Sequence, residues 1–200
     1  SALVDLQTPA NFSKQAAKFS NASVATAEIT ATATAASYQM EVTSLAQSTI
    51  WNVSGFTTEA AALSWYNDAG QTALRSSADA TVLQSATGQY VLSLKAKSTG
   101  AAAGFSISNT ALTAGLSASE YQTARDAQFN LNGVSFARAT NTVSDALTGV
   151  TLNLKAVTTS PATLTVSQAE SSARPKLDAL VKAYNVFGLY SSGYFVAFPN

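Results

Sequence analysis

With neither His nor Cys among its 200 residues, the chain has only paired carboxylates left as a familiar route to catalysis. Asp126 and Asp145 are the nearest such pair. A glycosidase would need their carboxyl groups roughly 5–9.5 Å apart across a cleft. Both stand beside turns, however, where Asp commonly accepts backbone hydrogen bonds, so turn capping is the more economical reading. A Ser-His-Asp triad, Cys/His zinc sites, thiol chemistry and disulfides are excluded by composition. Gly100-Ala-Ala-Ala-Gly104 lacks the Lys-Ser/Thr of a phosphate loop. No enzyme, cofactor or metal is therefore expected. Trp51, Trp65 and Tyr66 could stack against a sugar, but aromatics so placed more often belong to a core or an interface.

Eleven basic residues balance eleven acidic ones, and only 11% of the chain is charged. The average is about 25%. Such a chain carries no electrostatic footprint for nucleic acid. Ala, Ser and Thr number 39, 26 and 24, so large apolar residues are spread thinly. Several small layered units suit that supply better than one thick globule. The uncharged run 98–119 is broken throughout by Ser, Thr, Asn and Gly, so no membrane insertion is expected.

Periodicity then supplies the elements. Residues 24–34 alternate Thr and Glu with Ala and Ile, which predicts a half-buried strand. A second strand is predicted over 37–45. Thr57-Thr58-Glu59 opens a helix that Gly70 stops. Thr81-Val82-Leu83 and residues 89–97 read as a hairpin turning at Thr87-Gly88, with a short strand at 105–107. Residues 109–123 read as linker or weak helix. Asn132-Gly133 between alternating segments predicts a type I′ hairpin. Alternation returns at 149–155 and 162–166. From Glu170 the spacing is helical, with Leu177, Leu180, Val181, Tyr184 and Phe187 on one face. Residues 1–22 read as helical or irregular. The fold class is α+β, mainly β.

The run Asp126-Ala-Gln-Phe129…Asn132-Gly133-Val…Asn141-Thr-Val-Ser-Asp145…Gly149-Val150-Thr-Leu152-Asn-Leu154-Lys155 closely resembles the signature of the bacterial flagellar filament cap family, also called hook-associated protein 2. Ser37 to Gln47, Gly88 to Leu94, Ser98 to Ala102 and Leu180 to Asn185 are similar to further family segments, in the same order. The resemblance implies two small β-rich domains, the second inserted in the first. The first would be built from 23–50 plus 108–168 and the inserted one from 51–107. Helical leg segments at 1–22 and 169–200 would flank them. It also implies a structural cap at the distal, extracellular tip of the flagellum. Such a cap is a ring-like homo-oligomer that retains exported flagellin and promotes its folding and polymerisation. Leu177, Val181 and Tyr184 are the expected leg contacts, with Trp51 and Trp65 as further interface candidates. An extracellular adhesin or carbohydrate-binding module, with host glycans as partner, is the alternative.

Overall fold

The computed structural model describes residues 15–30 and 33–168, together with Asp178, Ala179, Val181, Lys182, Tyr184 and Asn185. Strands β1 (Gln15–Phe19), β2 (Ala25–Ile29) and β3 (Ala36–Ser44) come first. They are followed by β4 (Ile50–Phe56), helices α1 (Glu59–Asn67) and α2 (Thr72–Ser77), and the strands β5 (Ala78–Ala86), β6 (Gln89–Ala96) and β7 (Ser117–Gln122). The chain then runs through β8 (Ala127–Leu131), β9 (Val134–Arg138), β10 (Thr142–Leu147), β11 (Val150–Leu154) and β12 (Ala162–Gln168). The α+β, mainly β class expected from periodicity holds.

Among the described residues these strands form three antiparallel sheets. The first has the order β1-β12-β3-β8-β9 and the second β10-β11-β2. Their inner faces share one core. Met40, Val42, Phe129 and Leu164 from the first sheet pack with Val143, Val150 and Leu152 from the second. Ala25 on β2 is fully buried there, the close approach that a small residue permits. The third sheet has the order β5-β6-β4-β7 and a core of its own, around Val53, Phe56, Leu92 and Leu94. Helix α1 closes that core with the buried Ala62, while Trp65 and Tyr66 pack on its margin. Its start is the predicted one: the Thr58 Oγ1 accepts from the Ala61 N–H at 3.1 Å, and Glu59 lies in the first turn.

Strand pairing corrects three expectations. Gln15–Phe19, taken as part of a leg segment, is a strand paired with β12. Ala17 and Phe19 turn inward while Ala16 and Lys18 turn out, a period of two that five residues hardly distinguish from a helical face. Residues 117–122, taken as linker and assigned to the first unit, form β7 and pair with β4. The return to the first unit thus lies after Gln122 rather than at residue 108. Phe105-Ser106-Ile107 is not a strand; Phe105 and Ile107 pack against the second core from an irregular loop. Residues 1–14 and most of 169–200, Leu177 among them, lie outside the described residues. Helical backbone is present at Asp178, Ala179, Val181, Lys182, Tyr184 and Asn185.

Candidate functional site

The chain crosses between its two cores twice, near residues 45–49 and 122–126, and the crossings are bonded to each other. Gln47 and Arg125 exchange both backbone bonds, at 2.9 and 3.2 Å. The Ala124 N–H donates to the Thr49 Oγ1 at 3.0 Å, and the Gln122 side chain donates to the Ser48 carbonyl at 2.6 Å. Ser48 and Thr49 are buried polar residues; these bonds meet the demand that burial creates.

A loop of the second unit is fastened to the same place. The Gly100 N–H donates to the Gln47 carbonyl at 3.1 Å, and the Thr99 hydroxyl donates to the Ala139 carbonyl at 2.6 Å. Gly100 has φ +98°, and a Cβ on it would stand 2.6 Å from the Ala139 Cβ. Only glycine allows both that backbone conformation and that approach.

Two signature residues close the junction. The Asp126 Oδ1 accepts from the Ala101 N–H at 2.8 Å. The Asn141 carboxamide takes both backbone groups of Ala46, accepting from its N–H at 2.8 Å and donating to its carbonyl at 3.0 Å. It acts there as a one-residue strand.

The other signature residues shape the first unit. Asn132 (φ +49°) and Gly133 (φ +82°) make the expected turn. The Asn132 Oδ1 also accepts from the Gln39 N–H at 2.8 Å. Phe129 is buried and stacks on Phe136, centroids 5.2 Å apart, with the Arg138 guanidinium 5.6 Å from the Phe136 centroid. Gly149 (φ +74°) turns β10 into β11, and Val150, Leu152 and Leu154 are buried along it.

Asp145 is held by the Arg138 Nε, at 2.8 and 2.9 Å to its two oxygens. That hydrogen bond lowers its pKa from the ordinary carboxylate value, with the guanidinium charge acting the same way and desolvation opposing. Asp126 and Asp145 are thus engaged separately, one on a backbone N–H and one on Arg138. Neither lines the groove of about 670 Å³ in the second unit, whose walls include Phe56, Thr57, Ser64, Trp65, Asp68 and Gln71.

Of the interface candidates, Trp51 is half-buried and its indole N–H donates to the Phe105 carbonyl at 3.0 Å. Trp65 is half-buried and tilted against Phe56, with centroids 6.3 Å apart. Val181 and Tyr184 are exposed, at 54% and 76%. Gly100, Thr99 and Gln47 were not singled out as functional from sequence. All three lie in the family-like segments Ser37 to Gln47 and Ser98 to Ala102, which mark the residues without giving their partners.

The family model described as flagellar hook-associated protein 2 N-terminus matches residues 1–49, and that described as its C-terminus matches residues 124–191. The matched segments stop and resume at Thr49 and Ala124, which are hydrogen-bonded to each other. The flagellar hook-associated protein 2 of Helicobacter pylori is 42% identical over 66 residues, and that of Treponema maltophilum 36% over 64. Each alignment covers 32% of this chain and 10% of the relative. Among solved structures, the D1-D2-D3 domains of the Escherichia coli flagellar cap protein FliD superpose with a TM-score of 0.61 at 26% identity, over 92% of this chain and 65% of that one. FliD (HAP2) from Pseudomonas aeruginosa gives a TM-score of 0.58 at 20% identity, over 88% of this chain and 99% of that one. The chain belongs to the flagellar hook-associated protein 2 family.

Proposed function

We propose that this chain builds the plate of a cap at the distal, extracellular tip of the bacterial flagellar filament. Copies assemble there into a ring that retains exported flagellin and promotes its folding and polymerisation. The work is recognition without catalysis. The observation that carries this reading is the junction. Gln47, Thr99, Gly100 and Asp126 fasten the two cores into one piece, and a closed ring needs repeating units of fixed shape. The exposed Val181 and Tyr184, beside Leu177 in sequence, are the proposed leg contacts. Light scattering with negative-stain imaging over a concentration series tests it. Closed rings of several copies are expected. A chain that forms none, alone or at filament ends supplied with flagellin, would argue against the plate role.

The groove beside Trp65 supports a second reading, adhesion to host glycans. Its hydroxyls, the Gln71 carboxamide and Trp65 suit a neutral sugar. Glycan-array binding lost in Trp65→Ala is the expected sign, and an array without signal removes this reading.

A further inference from the structure

Unpaired backbone at a sheet edge offers hydrogen bonds to any strand that comes near. This chain repeatedly closes such backbone with carboxamides. Asn141 does so on Ala46, Gln15 on both backbone groups of Ala33, and Asn109 on both backbone groups of Ala118 in β7. The edge strand β7 is blunted further by a register shift beside Trp51 and by the exposed Glu120.

The opposite edge, β5, is treated differently. The Lys97 N–H donates to the Ser77 carbonyl at 2.9 Å. Continuing that register, Asp79–Lys95, Thr81–Ser93 and Leu83–Val91 are the pairs bonded across to β6. The N–H and C=O groups of Ala80, Val82 and Gln84 therefore point away from the sheet. The Tyr66 hydroxyl closes the Ala78 carbonyl, but among the described residues nothing closes the next three. From Thr81 to Ala86 the strand has no charge, no Pro and no Gly, and Leu83 is 50% exposed.

We propose that β5 pairs antiparallel with β5 of a second copy, about a two-fold axis through Val82, joining two four-stranded sheets into one of eight. The strand is self-complementary in that register. Ala80 meets Gln84, Thr81 meets Leu83, and Asp79 meets Ser85, so no like charges oppose each other. Asp79 already has Lys97 3.8 Å away. The contact is isologous and stops at two copies. It deepens the self-association of the proposed cap and is distinct from the head-to-tail contacts of a ring.

Val82→Pro is the sharp test. It deletes an N–H that the protomer does not use, at an edge position where proline is tolerated. Sedimentation should show a two-copy species in the wild type and a dissociation constant weaker by about tenfold or more in the variant, with an unchanged circular dichroism spectrum. Val82→Cys is the second test, because it would be the only thiol in the chain. Directly opposed bonded residues lie about 5.5 Å apart between Cα atoms, which suits a disulfide. Oxidation should give a covalent dimer faster than in Tyr121→Cys, which is 75% exposed on β7. Equal rates, or a Val82→Pro chain that associates like wild type, overturn the contact. Should Val82→Pro fail to fold, the cysteine comparison decides alone. Rings without the Val82 crosslink would sink the edge contact and leave the cap reading standing; the crosslink without rings would do the reverse.

Discussion

At the scale of single residues, three signature side chains, Asp126, Asn132 and Asn141, clamp backbone groups, while Phe129, Val150, Leu152 and Leu154 fill the core. Asp126 accepts from the Ala101 N–H, and Asp145 is held by Arg138. Arg138 lowers the Asp145 pKa, so the ion pair contributes stability above the unfolded carboxylate value of 3.8 and loses it as pH falls through the lower folded value. The side chain is 63% exposed, so the contribution is small and screened by salt. In a carboxyl-carbon NMR titration, Arg138→Gln should move the Asp145 midpoint upward. A midpoint that stays where it was would remove the hydrogen bond as the cause. The type I′ turn at Asn132-Gly133 could be read from the dipeptide alone, since two consecutive positive φ angles favour those residues. The Asn141 clamp could not be, because its partner Ala46 is 95 residues away and no local pattern announces it. Resemblance marked that asparagine without supplying its role.

At the scale of elements, alternation over β3, β8, β11 and β12 was legible because each buries one face and leaves the other wet. β1 and β7 were missed because they are short and rich in Ser, Ala and Gln, so tertiary pairing rather than propensity makes them strands. Two separate cores imply two separable responses to damage. Leu92 and Leu152 are both fully buried, one in each core. Truncation of either to Ala should cost about 2–5 kcal/mol. Hydrogen exchange should show the loss concentrated in β4–β7 for Leu92→Ala and in β2, β10 and β11 for Leu152→Ala. Uniform loss of protection in both variants would mean that the cores unfold as one.

At the scale of the whole molecule, the junction decides shape. Gly100→Val places a branched side chain where a Cβ alone would already stand 2.6 Å from the Ala139 Cβ, and at φ +98°. The loop must leave the first unit while each core stays intact. Small-angle scattering should show a larger maximum dimension, with little change in circular dichroism and a loss of ring yield. Unchanged scattering would show that the remaining bonds suffice. The topology has another consequence, in time rather than in space. The five-stranded sheet is completed by β12, which lies between β1 and β3, whereas the four-stranded sheet is contiguous from β4 to β7. A chain emerging amino-terminus first, from a ribosome or a narrow conduit, can close the inner unit while its first three strands still wait for their partners. Of these, β1 and β3 stay unfinished until residue 168 has emerged, so a strand made late is the one that lets two made early settle.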